Sequence, residues 1–357
     1  MDPQKLTTVG TFFGLRPGTE TSWSLHPESG DLLTADNPPR LWRLPVGREL
    51  LKLTHRAQQA WGGCFLSDTV LIGRKDFGML RYDLSTPGRA VEVGEWSHYR
   101  TSASHWASGR FVLGGPGVKL GREVGQDLKV FAMENGQAVE KRVLNFQGRL
   151  PNLAFDSSGE RLAAVSVNSP LEVFDVNSGA SVLKVPGSFE RAVFAGAGRN
   201  LVALTRRDRS AGDTEDLLLA FDGSTGAILR TVTNRFRANA LAASADGQLV
   251  AIAGSDQSVH LFDAATLVEK SSFRAHDSEI TVLQFHPRRP VLATAAMDQT
   301  VKLWQFDSAK LVDEFIGLAG TPVVLAFNPS GTLLLVDGQE HTTRIFDVSG
   351  VAKAAAK

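Results

Sequence analysis

Four-stranded β-sheets repeated around a closed ring are the fold that this 357-residue chain predicts. Two observations carry that reading. A short strand ending in an aromatic residue, usually followed by Asp, recurs along the chain, and a Gly/Pro/Asn/Asp turn recurs upstream of it. Dividing the chain by eight copies gives a unit of about 45 residues, the length of one four-stranded propeller blade. The predicted fold is therefore all-β, a single closed β-propeller of eight four-stranded blades.

The recurring strand is clearest in Leu171-Glu172-Val173-Phe174-Asp175, in Val259-His260-Leu261-Phe262-Asp263 and in Val301-Lys302-Leu303-Trp304-Gln305. Further copies lie at 218–222 and 343–347, and weaker ones at 39–43, 79–83 and 128–132. Alternation at period two marks each as a strand with one face buried. The upstream turns include Phe155-Asp156-Ser157-Ser158-Gly159, Ala243-Ser244-Ala245-Asp246-Gly247 and Phe327-Asn328-Pro329-Ser330-Gly331. Leu25-His26-Pro27 and Phe285-His286-Pro287 fill the same place. Each such residue supplies a specific turn geometry, so these are hairpin connections.

A ring must also close. The eighth unit stops after its third strand, near Val348, and residues 6–14 resemble the fourth strand of other units. The expectation is an N-terminal strand that completes the last blade, a propeller over residues 1–350 and a disordered tail at 351–357. Closure removes the exposed strand edges that an open ring would leave.

Composition bounds the function. Lys plus Arg equals Asp plus Glu at 38 each, so no global field draws the chain to nucleic acid or anionic membrane. One cysteine, Cys64, excludes an intramolecular disulfide framework and a Cys-based zinc site. No apolar run is long enough for a transmembrane helix, and residues 1–5 are polar, unlike a secretory signal, which together predict a cytoplasmic protein. There is no phosphate-binding Gly-Lys loop, no dinucleotide Gly fingerprint and no Gly-x-Ser-x-Gly elbow. The eight histidines show no metal-ligand spacing. Metal, cofactor and catalytic residues are accordingly expected to be absent.

Residues 274–317 resemble a WD repeat in detail. Ala275-His276 stands at the family's Gly-His, and Thr294, Asp298 and Trp304 stand at its Ser/Thr, Asp and Trp positions. The resemblance implies a hydrogen-bonded chain inside the blade, Asp298 to His276 to Thr294 to Trp304, with a structural task. The other units depart from the motif. Phe or Tyr often replaces Trp, the loop histidine is mostly absent, and Asp256 survives without a His partner. At motif level the likeness covers one repeat, and as a period it covers almost the whole chain.

Three segments invite functional readings. Gly114-Gly115-Pro116-Gly117 opens an insertion to about Asp127, read as an extended connection between strands of the third repeat. The charged residues 206–216 read as a solvated loop of mixed sign. Ala220-Phe221-Asp222-Gly223-Ser224-Thr225-Gly226 is similar to the turn of eight-bladed quinoprotein dehydrogenases, but occurs once and has Arg230 where that family places a Trp.

Propeller loops alternate between two faces. By resemblance, the usual binding face carries the connections from fourth strand to first and from second to third. There stand Arg16, Arg56, Arg74, Arg100, Arg149, Arg237 and Arg274, with Tyr99 among them. Asp83, Asp156, Asp175, Asp222, Asp263 and Asp347 fall on the opposite turns, where turn chemistry alone explains them. The chain has 26 arginines against 12 lysines, and Arg beside aromatic residues is the pairing enriched at interfaces. The expected function is a non-catalytic protein–protein interaction scaffold, a monomer or part of a hetero-complex, with no cofactor and no nucleic acid or membrane partner. The alternative is an enzyme or small-ligand binder using the central channel, quinoprotein-like or hydrolytic.

Overall fold

The computed structural model describes strands at 23–25, 32–34, 40–42 and 48–54 and, apart from short breaks in the connections, residues 64–350. It shows an all-β propeller of seven blades, each a four-stranded antiparallel sheet with its strands side by side in order. Blades 1 to 6 occupy residues 64–95, 101–146, 152–185, 191–234, 238–274 and 280–315. Blade 7 takes three strands from residues 322–347 and its fourth from Arg48–Thr54. A single turn of 3₁₀ helix, Trp106–Ser108, is the one helical element among the described residues.

The ring is closed at seven. First strands of successive blades touch all the way round, including Pro322–Phe327 of blade 7 against Cys64–Phe65 of blade 1. Seven apolar clusters fill the seven interfaces. The seventh joins Phe65, Leu71 and Tyr82 to Leu333, Leu335 and Ile345. Second strands supply the most buried positions, as in Leu162, Ala163, Ala164 and Val165, all at most 1% exposed. Fourth strands lie outermost and are mostly exposed, as along Glu269–Arg274. Small residues on the buried strands let neighbouring sheets approach, and burying them on both faces supplies the main stabilisation.

Most of the recurring aromatics sit beside an irregularity. The pairing of third and fourth strands shifts register between Val173 and Phe174, Ala220 and Phe221, Leu261 and Phe262, and Leu303 and Trp304. A bulge there sharpens the local twist that the blade needs.

Two expectations are corrected. The eight-blade count included the strand copy at 39–43, but that copy lies in a separate three-stranded sheet, Trp23–Leu25, Leu32–Thr34 and Arg40–Trp42. The strand that would finish this sheet as a blade, Arg48–Thr54, pairs instead with Thr342–Asp347, Leu51 facing Ile345. It thereby fills the open edge of the last blade and closes the ring at seven. The proposed closing strand at 6–14 lies outside the described residues, as does the 351–357 tail; the position foreseen for it is taken by 48–54.

The lower face, bearing the first-to-second and third-to-fourth turns, is stitched from blade to blade. His286 Nε2 lies 3.1 Å from the Gly331 carbonyl, and His105 Nε2 lies 3.2 Å from that of Ser157. Gly196 N–H donates to the Gly247 carbonyl at 2.8 Å. Ser330 N–H donates to Asp68 Oδ1 at 2.6 Å, joining blade 7 to blade 1.

Candidate interaction face

The upper face, with the second-to-third and fourth-to-first connections, is built by hydrogen bonds that fix loop backbones. In blade 6, His276 Nδ1 is 2.9 Å from Asp298 Oδ2 and His276 Nε2 is 2.8 Å from Thr294 Oγ1. Trp304 Nε1 donates to the same Thr294 oxygen at 3.0 Å. With the imidazole proton on Nδ1, every donor in the chain meets an acceptor. Burial works against the Asp298 charge, yet His276 and Thr300 hold its carboxyl well below the usual range. The structure thus brings His276, Thr294, Asp298 and Trp304 together, with Thr294 fully buried. Their shared work is to pin the turn at 297–300 to the loop at 275–277.

Blade 5 reaches a similar end by other residues. Asp256 does have a histidine partner, four residues on: His260 Nε2 is 2.7 Å from Asp256 Oδ2, and Nδ1 is 2.8 Å from Glu269 Oε1. Burial lowers the affinity of this imidazole for a proton, but the two carboxylates outweigh it and leave the pKa raised. The ring stacks on Phe236, with centroids 4.6 Å apart and planes 18° apart. Sequence reading missed this pair because the histidine sits on the third strand, not in the loop where the repeat motif places it.

Blade 4 contributes the charged segment 206–216, and here the structure corrects the loop reading. Second and third strands run on to Asp208 and Thr214, with Arg206 opposite Asp216 and Arg207 opposite Glu215. Arg206 grips Asp216 through two bonds of 2.7 and 3.0 Å and reaches Glu190 at 3.2 Å. Asp216 also accepts the Ala238 N–H at 2.8 Å. The Gly114–Asp127 insertion is likewise strand, a lengthened hairpin in which Gly114 faces Leu128 and Gly115 faces Asp127.

Between blades 4 and 5, the connection 235–237 is held from both sides. Ala238 is tied to Asp216, while Arg237 N–H donates to Ser255 Oγ at 3.0 Å and Ser255 N–H to the Arg237 carbonyl at 2.9 Å. Gly254 makes this approach possible, since a Cβ there would stand 1.8 Å from the Arg237 carbonyl oxygen. Arg235 and Arg237 are exposed on either side of half-buried Phe236.

Of the arginine-rich set, Arg237 and Arg274 are exposed at fourth-to-first connections, and Arg74 lies at the end of a second strand. Arg274 is engaged locally with Asp277 at 3.2 Å. Arg16, Arg56, Tyr99, Arg100 and Arg149 lie outside the described residues. The lower-face aspartates are occupied in turns. Asp222 Oδ1 accepts from Ser224 N–H, Thr225 N–H and Thr225 Oγ1, which accounts for the quinoprotein-like turn as turn chemistry. The same arrangement recurs at Asp175 with Ser178 and at Asp263 with Thr266. Lys270 and these turn bonds lower the Asp263 carboxyl to about 2.

Among the described residues no three His, Cys, Asp or Glu side chains stand together as metal ligands. No helix among them is long and apolar enough to cross a membrane. Cys64 is buried, and burial pushes its thiol up to about 12.

A closed ring of four-stranded blades, one of them wired from Trp to Asp through Thr and His, defines a β-propeller of WD type. The WD domain, G-beta repeat family matches residues 226–263 and 268–305, so these two stretches of the chain carry WD40 repeats. It is 31% identical over 116 residues to the transcriptional corepressor LEUNIG_HOMOLOG of Arabidopsis thaliana, covering 32% of this chain and 15% of that protein. It is 29% identical over 119 residues to cleavage stimulation factor subunit 50 of the same plant, covering 30% and 28% respectively. An uncharacterised WD repeat-containing protein of Schizosaccharomyces pombe is 25% identical over 202 residues, covering 53% of this chain and 49% of its own. The chain thus spans less than half the length of the curated relatives it matches.

Proposed function

We propose that this propeller is a non-catalytic protein-interaction scaffold that binds through its upper face. The observation that carries the reading is the connection 235–237, two exposed arginines around a half-buried phenylalanine on a backbone fixed from both neighbouring blades. Arg and aromatic residues dominate interface energetics, and a pre-fixed loop loses little entropy on binding. The names of the relatives, a corepressor and a subunit of a cleavage factor, accord with work done in complexes. We place the protein in the cytoplasm, as a monomer or one subunit of a hetero-complex, working without a cofactor. Zero net charge gives little drive for counterion release, which disfavours nucleic acid.

The test is affinity capture from native cell extract with wild type and with Arg56, Arg100, Arg149 and Arg237 all changed to Gln. A stoichiometric protein partner held by wild type and lost from the variant, with unchanged melting, is the expected result. A partner retained at full occupancy by the variant would remove the upper face from the reading.

A further inference from the structure

Beside the connection 235–237 lies a groove of about 530 Å³, walled by the blade 4 hairpin on one side and by Arg235, Phe236 and Arg237 on the other. The acceptors on the hairpin wall are largely engaged already. Asp216 receives Arg206 on both oxygens and the Ala238 N–H on one of them. Arg206 is shared between Asp216 and Glu190.

The donors are a different matter. Asn234 lines the groove at 8% exposure, and its side-chain nitrogen has no hydrogen-bond partner among the described residues. A buried amide left so keeps an unrepaid desolvation penalty, which makes it an unusual choice for a purely structural position. Arg235 and Arg237 line the same groove, exposed, and neither makes a side-chain bond or ion pair within the described structure. The free hydrogen-bonding capacity of the groove is thus an amide NH₂ and two guanidinium forks.

We propose that this groove is a carboxylate-binding subsite for an Asp or Glu side chain in an acidic segment of a protein partner. A carboxylate brings acceptors only, and a planar pair of oxygens suits a guanidinium fork. The carboxylates of Glu215 and Asp216 in the same lining disfavour a doubly charged phosphate, whereas three arginines against those two leave one net positive charge in the lining. Phe236, stacked on His260 between Asp256 and Glu269, holds the connection in place beneath the two arginines. The subsite rests on the interaction reading above and deepens it by naming what the partner presents.

The experiment selects from a random peptide library displayed on phage, using the full-length chain as bait. The variants are Arg235→Gln/Arg237→Gln together and Asn234→Leu alone. Wild type should enrich peptides carrying Asp or Glu, and synthetic copies should bind the double variant at least tenfold more weakly. Asn234→Leu should bind them more weakly too while melting no lower than wild type, because the amide it removes makes no bond in the free protein. Enriched peptides without acidic bias, or acidic peptides that bind both variants as tightly as wild type, would overturn the subsite. In that event capture of a partner by wild type and its loss from the four-arginine variant would still leave the scaffold reading standing. Phosphopeptides preferred tenfold over their Asp counterparts would reassign the groove to phosphate and overturn the carboxylate.

Discussion

Thr294→Val removes one oxygen from the centre of blade 6 and keeps the side-chain shape. That oxygen receives the Trp304 indole N–H at 3.0 Å and lies 2.8 Å from His276 Nε2, in a place with no access to water. Both ring nitrogens lose their partner while remaining buried. Each orphaned group costs about 1–3 kcal/mol, so the pair costs roughly 2–6 kcal/mol. The ring includes about 290 residues, and unfolding entropy of about 2.1 cal/mol/K per residue makes 1 kcal/mol worth somewhat under 2 °C. The expected fall in Tm is therefore about 3–10 °C by calorimetry or circular dichroism. Thr294→Ser is the control, since it keeps the oxygen and loses one methyl, about 1 kcal/mol or near 2 °C. If the Val variant melts at the same temperature as the Ser variant, the network is not what holds the turn, and the reasoning fails.

Other perturbations test other links. A chain starting at residue 44 should melt like the full chain, whereas one starting at residue 57 loses the strand paired to Thr342–Asp347 and should unfold several kcal/mol more easily or self-associate through that edge; equal melting of the two would refute closure by 48–54. Burial pushes His286 down to about 4 from 6.5, so the unfolded chain takes up its proton first; its contribution is whole above pH 6.5 and drains away as pH falls toward 4, and His286→Gln should flatten that part of the stability–pH curve. His260, its pKa raised by Asp256 and Glu269, works in the opposite direction: its contribution is present at low pH and is lost as pH rises through its folded value, a slope that His260→Gln should abolish. The Cys64 thiol, pushed up to about 12 and buried, should resist alkylation in the native protein at pH 8 and react on unfolding; rapid native labelling would contradict its placement.

Much of the architecture is written in local pattern. The aromatic-Asp strand ends are visible because period-two alternation and turn residues act within a few positions, and the structure finds third strands at 171–175, 258–263 and 301–305. The blade count is not local. Nothing in Arg48-Glu49-Leu50-Leu51 states whether it completes its own sheet or the one made by residues 322–347, because both edges offer the same backbone groups. The four-residue network of blade 6 follows the repeat spacing and could be named in advance. His260 and Asn234 could not, since each matters through a neighbour brought in by tertiary structure, Phe236 and Glu269 for the first and the blade 4 hairpin for the second. The charge run 206–216 looked like a loop because Arg, Asp and Gly are poor strand formers, yet cross-strand pairs such as Arg206 and Asp216 offset that preference.

The strand shared between the two ends of the ring also sets an order of events. Leu51 waits for Ile345, a partner made nearly three hundred positions later, so most of the ring is made before this first-made piece can meet its edge in the last blade. During synthesis at roughly 5–20 residues per second, that wait lasts on the order of tens of seconds. Throughout it, the segment at 48–54 is a free edge-seeking strand, open to a neighbouring chain's unfinished blade as readily as to its own. Closure is thus the last step to form and the one most exposed to exchange between molecules, and dilution during refolding should favour the closed monomer over swapped pairs.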